Sequence, residues 1–296
     1  MYYPYLRAKR EEIFSLLEIN PNVYGNTIPI IEPVGVDELN VKRIKKLIDR
    51  NINFIFILNP QVNQLNFNDV VETYVNNLFE EYNNYSIAYI ITNNSSEDEI
   101  LRFVELDLPK TLIHKFTFPN VDFINNLIVD RHIFQERKVS QNYINSIFSP
   151  HKIKLIDGFN KLARNADYAP NSFFSSLHFT YLQENLVGVG DYLIQGDNFS
   201  STGGAASAVA IHLSTVNNNQ IYVNHFVSDN VHGQTRTSEK FLEALDKLIE
   251  FVDENDPYET SGIRNYREMH IQRHSPGLAV NKRFALKNHI ELSNII

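Results

Sequence analysis

Short apolar runs alternate with segments of helical periodicity along the first half of the chain. Residues Ile28–Val34 and Asn53–Leu58 are nearly continuous apolar runs, which are typical of strands buried on both faces. Between them, Asp37–Arg50 carries its apolar residues at helical spacing. The pattern predicts a strand–helix–strand unit with parallel strands, because parallel neighbours need a crossover connection.

The same alternation continues as far as Asp157. Four further strands are predicted at Ser86–Thr92, Thr111–Phe116, His132–Arg137 and Lys152–Asp157. Helices are predicted at Asp69–Tyr82, from Ser95 or Ser96 onward, near Val121–Ile128 and at Gln141–Phe148. Repeated units of this kind predict an α/β fold, a TIM-barrel-like (β/α) barrel. We expect one barrel-like domain over residues 1–296.

After Asp157 the periodicity loosens, so the C-terminal half is expected to be irregular. Gly158–Ser176 has no clear period, and Asn217–Gln220 reads as a hairpin turn between antiparallel strands. The remaining predicted elements are strands at Gly190–Ile194, Ala208–Ser214 and Ile221–Val227, an amphipathic helix at Ser238–Val252, and a short helix near the end.

Composition narrows the classes of function. Hydrophobic residues make up 43% of the 296 residues, which is ample for a core. The formal net charge of −8 disfavours binding to bulk duplex DNA, since such proteins carry a basic excess. The chain has no cysteine, so disulfides, thiolate nucleophiles and zinc–sulfur sites are excluded.

No signal-peptide core is present in the first residues, and no run of about 20 apolar residues is found. We therefore expect a cytoplasmic protein that makes no contact with membranes.

Several predicted strands end in a polar residue, and in a barrel such ends meet at one mouth. Carboxylates gathered there could act as general acid and base or hold a divalent cation, the one cofactor that the sequence suggests. The alternative is that strands end in polar residues because the chain re-enters water, and that Asp caps the next helix. The residues concerned are Glu32, Asn59, Thr92, Glu136, Asp157 and Ser214.

The segment from Asp157 to Tyr168 combines acids, bases and amides without a regular pattern. Irregular polar loops after a buried strand often carry binding residues, which here would be Lys161, Asn165 and Asp167. Arg164 could hold a phosphate or carboxylate through two hydrogen bonds. The alternative is a turn held together by an internal Arg–Asp pair.

Two glycine-containing segments follow. Gly188-Val-Gly190 is a weak phosphate-loop signal, and the pattern favours a turn into a strand instead. Asp191 is a candidate catalytic acid between apolar neighbours. Residues 203–206, Gly-Gly-Ala-Ala, would permit a close backbone contact or form a loop.

Three histidines complete the candidate set. His178 is a candidate binding residue. His212 and His225 lie on adjacent predicted strands, where with Asp229 they would form an acid–base or metal cluster. The alternative is that each is a packed, hydrogen-bonded strand histidine.

Motifs spread over nearly the whole chain resemble the "beta protein" family, named for a phage protein. The opening Tyr3–Arg7 with Lys9 and the strand at Ile28–Pro33 carry this resemblance. A branch of uncharacterised bacterial proteins resembles the chain more closely through Ile156–Asn160, Arg164–Tyr168, Leu177–Tyr181, Gly190–Tyr192, His225–Asp229, Pro276–Leu278, Lys282 and His289–Leu292. Asn281–Phe284 departs from that branch, which has Lys-Lys-Leu-Ser there.

The resemblance implies a barrel-like fold, genes of phages and mobile elements, and a protein partner encoded nearby. It implies no particular reaction and identifies no catalytic residues. The first hypothesis is therefore a binding or defence-system component that acts with a partner.

Two other hypotheses remain. The second is a metal-assisted hydrolase of phosphodiesters or nucleotides at the mouth, using Glu32, Asp157, Arg164 and Asp191. The third is a structural subunit of a phage-derived assembly, which would show a large exposed apolar patch.

Overall fold

Eight parallel strands close into a barrel in the order in which they follow one another along the chain, which confirms the predicted (β/α)-barrel fold. The structure is a computed structural model that describes residues 1–199, 207–229, 233 and 235–296. The barrel strands are β1 (Tyr2–Arg7), β2 (Ile30–Glu32), β3 (Phe54–Ile57), β4 (Tyr85–Ile91), β5 (Lys110–His114), β6 (Arg131–Gln135), β7 (Lys152–Ile156) and β9 (Gly188–Asp191).

Helices follow most of the barrel strands, and side-chain caps define where several begin. Asp37 accepts hydrogen bonds from two backbone N–H groups at the start of the second helix, and Ser96 and Glu99 form a reciprocal capping box at the fourth. These helices are α1 (Arg10–Glu18), α2 (Glu38–Asp49), α3 (Phe67–Val70, continued by a π-helix at Val71–Leu78), α4 (Glu97–Val104), α5 (Val121–Asn125) and α6 (Gln141–Ser146).

The strand that closes the barrel is β1, which the apolar pattern did not predict. Its sequence, Tyr-Tyr-Pro-Tyr-Leu-Arg, lacks β-branched residues and contains Pro4, which argues against a central strand. All six residues are nevertheless buried, and β1 pairs in parallel with both β2 and β9.

By its contacts the chain divides into two compact units. The barrel unit comprises Met1–Ile13, Tyr24–Asp157 and Thr180–Asp191, and the sheet–helix unit comprises Phe14–Val23, Gly158–Phe179 and Tyr192–Ile296. The boundary of one domain over residues 1–296 stays a prediction.

The sheet–helix unit contains an antiparallel sheet in the order β10 (Ala210–Asn217), β11 (Gln220–Val227), β8 (Asn171–Ser175). The predicted hairpin is confirmed: Asn218 and Asn219 both have positive φ (49° and 56°) between β10 and β11, as a two-residue turn of this type requires. The elements are β8 (Asn171–Ser175), β10 (Ala210–Asn217), β11 (Gln220–Val227), α7 (Leu177–Thr180), α8 (Thr237–Asn255), α9 (Ser261–Gln272) and α10 (Leu278–Ile295).

One apolar core joins this sheet to its helices. Ile211 and Leu213 of β10 and Phe226 of β11 pack with Phe241, Leu245 and Leu248 of α8 and with Tyr266 of α9. The sequence missed β8 and α9, and it underestimated α10, whose 18 residues are mostly buried. A helix with so many buried residues around its circumference has little amphipathic signal.

Within the described ranges, no helix has both the length and the apolar character needed to cross a membrane.

Candidate functional site

The register of the barrel determines which side chains point into it. Adjacent residues on a strand face opposite sides, and Phe56 faces outward because its ring packs on Tyr74 of the following helix (4.8 Å between ring centroids). Pairing of Phe56 with Ile31, and of Ile31 with Leu6, places those residues outward as well.

The alternate positions therefore face the interior, and at the carboxyl ends of the strands most of them are polar. Continuing the register from strand to strand gives the same result around the barrel. Polar residues at inward positions of this end include Arg7, Glu32, Lys115, Gln135 and Asp157.

Arg7 and Glu32 form a buried ion pair at this mouth. Nε of Arg7 lies 3.4 Å from Oε2 of Glu32, and their side chains are 8% and 1% exposed. Oε1 of Glu32 also accepts a hydrogen bond from the backbone N–H of Gln61 (2.7 Å). Glu32 is thus held in place by a cation and an amide.

Two cations converge on the ring of Tyr5, which also points into the barrel. The guanidinium carbon of Arg7 lies 5.7 Å from the ring centroid, and Nζ of Lys115 lies 5.3 Å from it. Both distances are within the range of cation–π attraction. Lys115 is half-buried, less enclosed than Arg7.

Asp191 belongs to the same end of the barrel but to the other face of the sheet. It pairs in register with Ile156, an outward position, and its Oδ1 accepts a hydrogen bond from the Tyr2 hydroxyl (3.0 Å). The structure therefore does not bring Asp191 to the inner rim with Glu32 and Asp157.

Two other residues that were predicted to lie at the barrel mouth, Ser214 and Glu136, do not point into it. Ser214 lies on β10 of the antiparallel sheet, where its hydroxyl contacts Nδ1 of His289 (2.6 Å). Glu136 follows Gln135, and alternation directs Gln135 rather than Glu136 into the barrel. The side-chain amide of Asn59 donates to the carbonyl of Ile90 in β4 and accepts from the backbone N–H of the same residue. Thr92 is half-buried at the end of β4.

The polar loop after β7 forms a turn with an internal ion pair, which is the alternative that the sequence left open. Arg164 donates two hydrogen bonds to Asp167, at 2.8 and 2.6 Å. Each partner stabilises the charge of the other, so the pKa of Arg164 is raised and that of Asp167 lowered. Asn165 donates to the carbonyl of Ala208 (2.8 Å), and Lys161 is exposed.

His212 and His225 are neighbours, as predicted. They are directly paired across β10 and β11, with 2.8 Å between their Nδ1 atoms. Burial lowers the pKa of His212 to about 3 and that of His225 to about 4. Asp229 is instead exposed and bonded to Nζ of Lys247 (2.6 Å), and His178 is buried beside Phe174.

Sequence reasoning missed Ser172, which completes this group. Its Oγ lies 2.9 Å from Nε2 of His225, so a hydroxyl and two imidazoles form a continuous hydrogen-bonded series. The ring of Tyr168 stacks on His225, with centroids 4.5 Å apart and planes 26° apart. The sequence did not indicate Ser172 because β8 lies within a segment that has no hydrophobic periodicity, so no strand was predicted there.

A second histidine pair, also missed, lies on the outer face of the barrel. Nε2 of His114 is 2.9 Å from Nδ1 of His132, and Nδ1 of His114 is 3.0 Å from the hydroxyl of Tyr143. Burial lowers the pKa of His132 to about 4 and that of His114 well below its usual value. Both imidazoles are therefore neutral at pH 7.

This pair predicts a loss of stability in mild acid. A histidine whose pKa is about 6.5 when unfolded and about 4 when folded binds more protons in the unfolded state between those values. Its stabilising contribution is complete above pH 6.5 and falls as the pH falls toward 4. For His132 alone we expect a loss of about 2 kcal/mol between pH 7 and pH 5, measured by urea unfolding.

His132→Asn provides the matched variant, since its amide oxygen can accept the His114 hydrogen bond without titrating. We expect its unfolding free energy to depend less steeply on pH over this range. A slope equal to that of the wild type would show that His132 does not contribute to the acid sensitivity.

Among the described residues, no group of three or more His, Asp or Glu side chains is arranged to hold a metal ion. The predicted association of Asp229 with His212 and His225 is thus not formed, because Asp229 is paired with Lys247.

Comparison of the chain with models of protein families, with curated proteins and with solved structures found no match. The resemblance to the beta protein family stays a prediction carried by its motifs.

Proposed function

We propose that the protein is a binding protein whose barrel mouth takes a small polar molecule carrying an anionic group. The observation that carries this proposal is the convergence of Arg7 and Lys115 on the ring of Tyr5, at inward positions of the mouth. The carboxyl end of the strands is where barrel proteins gather their ligand-binding groups.

Burial supports this choice of ligand. Arg7 is 7% exposed, and a charge–charge attraction is stronger in such surroundings than in water. A carboxylate or phosphate oxygen approaching Lys115 would meet a positive group already held over an aromatic face.

The mouth also offers groups that would orient the rest of the ligand. Gln135, 1% exposed, has both amide donors and a carbonyl acceptor. Asp157, at another inward position, contributes carboxylate oxygens, which favour a ligand with hydroxyl or amino groups beside its anionic group.

Binding is better supported than metal-assisted hydrolysis. The hydrolase hypothesis needs several carboxylates to share one cation, yet Glu32 is engaged by Arg7 and by the Gln61 amide. Asp191 lies on the outward face. A partner encoded nearby and a role in phage defence remain proposals that rest on the family resemblance alone.

Lys115→Met tests the proposal because methionine keeps most of the side-chain length and removes the charge. Titration calorimetry with inorganic phosphate, citrate and a nucleoside monophosphate would identify the best probe for the wild type. For that probe we expect Lys115→Met to raise Kd by roughly tenfold, equivalent to about 1.4 kcal/mol. Losing a charge-assisted hydrogen bond has an effect of this order.

The matched control is Lys45→Met, which removes an exposed lysine that pairs with Asp49 on α2. Its Kd should equal that of the wild type. The proposal fails if none of the three probes binds, or if both lysine variants weaken binding equally.

A further inference from the structure

We propose that Ser172 is an activated nucleophile for acyl transfer from a small carboxylic ester, with His225 as its base and His212 as a positioning residue. Oγ of Ser172 lies 2.9 Å from Nε2 of His225, and Nδ1 of His225 lies 2.8 Å from Nδ1 of His212. In sites of this kind the nucleophile is hydrogen-bonded to a base, and a third group hydrogen-bonded to the base orients it. This site is independent of the anion site proposed at the barrel mouth.

The contacts are consistent with a productive arrangement of protons. When Nδ1 of His225 donates its proton to His212, Nε2 of His225 keeps a lone pair that accepts the Ser172 hydroxyl proton. In that tautomer His225 can act as a base, and the contact with His212 holds its ring in place. Burial holds the pKa of His225 at about 4, so the neutral form predominates at pH 7.

Aromatic rings hold the two imidazoles and limit the access of water. Tyr168 stacks on His225, and Phe159 meets the His212 ring edge-on, with centroids 5.1 Å apart and planes 70° apart. His225 is 6% exposed, whereas Ser172 is half-buried and so less enclosed than its base. The apolar ring faces suit an ester with an alkyl or aryl acyl group.

The strand that carries Ser172 offers a donor for the developing oxyanion. Among the described residues β8 is an edge of its sheet, paired only with β11. The backbone N–H of His225 donates to the carbonyl of Pro170 (2.8 Å), so ladder alternation makes Ser172 and Val223 the next bonded pair. The N–H of Phe173 then points to the open edge, and in serine hydrolases the residue after the nucleophile often supplies this donor.

The reaction is balanced within this group and one water molecule. Oγ of Ser172 attacks the ester carbonyl carbon while its proton passes to Nε2 of His225. The bond from the carbonyl carbon to the alkoxy oxygen then breaks, and the proton goes to the leaving alcohol. Water, deprotonated by the same nitrogen, releases the acid and restores Ser172.

An alkyl fluorophosphonate tests the nucleophile directly. Attack by Oγ forms an oxygen–phosphorus bond and expels fluoride, and intact-mass and peptide mass spectrometry then identify the modified residue. Covalent labelling suits this site because a base with a pKa of about 4 is weaker than the optimum at pH 7, so turnover will be slow.

We expect the folded 296-residue chain to be labelled on Ser172, and Ser172→Ala to abolish that label. The control is Ser149→Ala, since Ser149 accepts a hydrogen bond from the backbone N–H of His151, and it should leave the labelling rate unchanged. His225→Gln should slow labelling by roughly 100-fold, the usual scale for loss of a general base.

The positioning role of His212 is tested by a pair of variants. His212→Leu removes the acceptor for Nδ1 of His225 and should slow labelling, whereas His212→Asn places an amide oxygen near the same point and should restore it. Circular dichroism and thermal unfolding would confirm that each variant is folded. The absence of label on Ser172 in the wild type, or equal rates in the wild type and His225→Gln, would overturn the proposal.

Discussion

Replacing Glu32 by alanine is expected to lower the free energy of unfolding by about 3 kcal/mol, because it withdraws a carboxylate from the buried Arg7 guanidinium. It also leaves the backbone N–H of Gln61 without the acceptor that it has at 2.7 Å. Urea unfolding followed by circular dichroism would measure the change.

The double variant Arg7→Met with Glu32→Ala separates charge from packing. Removing both members of a buried ion pair usually costs less than removing one, since no charge is left in a poorly solvated position. We expect the double variant to be more stable than Glu32→Ala alone. The loss in the double variant is compared with the sum of the losses in Arg7→Met and Glu32→Ala measured singly. If the double loss equals that sum, the two side chains do not interact across their 3.4 Å separation.

Gly262→Val is expected to destabilise the sheet–helix unit by about 3 kcal/mol or more, the upper range for overpacking a core. A Cβ atom at this position of α9 would lie 2.3 Å from the carbonyl oxygen of Phe284 and 2.8 Å from the backbone nitrogen of Asn288. Both atoms belong to the backbone of α10, so relief requires the two helices to move apart.

Gly25→Ala is the matched control, because a Cβ there would meet no atom within 4 Å. Its unfolding free energy should equal or slightly exceed that of the wild type, since alanine restricts the unfolded chain. Thermal unfolding of both variants gives the comparison. A Gly262→Val protein as stable as Gly25→Ala would mean that the close approach of α9 and α10 is not required.

Much of the fold could be predicted because local patterns encode it. Buried parallel strands read as apolar runs, and Ser96 with Glu99 marks a helix start by chemistry that acts over three residues. The Asn218-Asn219 pair likewise favours a tight hairpin, because asparagine tolerates the positive φ that such a turn needs. The cross-strand contact of His212 and His225 followed from that hairpin, since a short turn sets the register.

The candidate sites depended on contacts that no local pattern encodes. A shift of one residue reverses the face of a side chain, which is why Asp191 lies outward while Gln135, rather than Glu136, lies inward. Arg7 and Lys115 are 108 positions apart in the sequence, and only barrel closure brings both to Tyr5.

Local patterns therefore predict the class of fold, the hairpin and most of the strands and helices between Ile28 and Asp157, because these depend on periodicity and turn chemistry within a few residues. Tertiary structure alone decided that β1 closes the barrel, that Ser172 meets His225, and that His114 meets His132. Each of these depends on which strands become neighbours and in what register, and that outcome is set by the packing of the whole core.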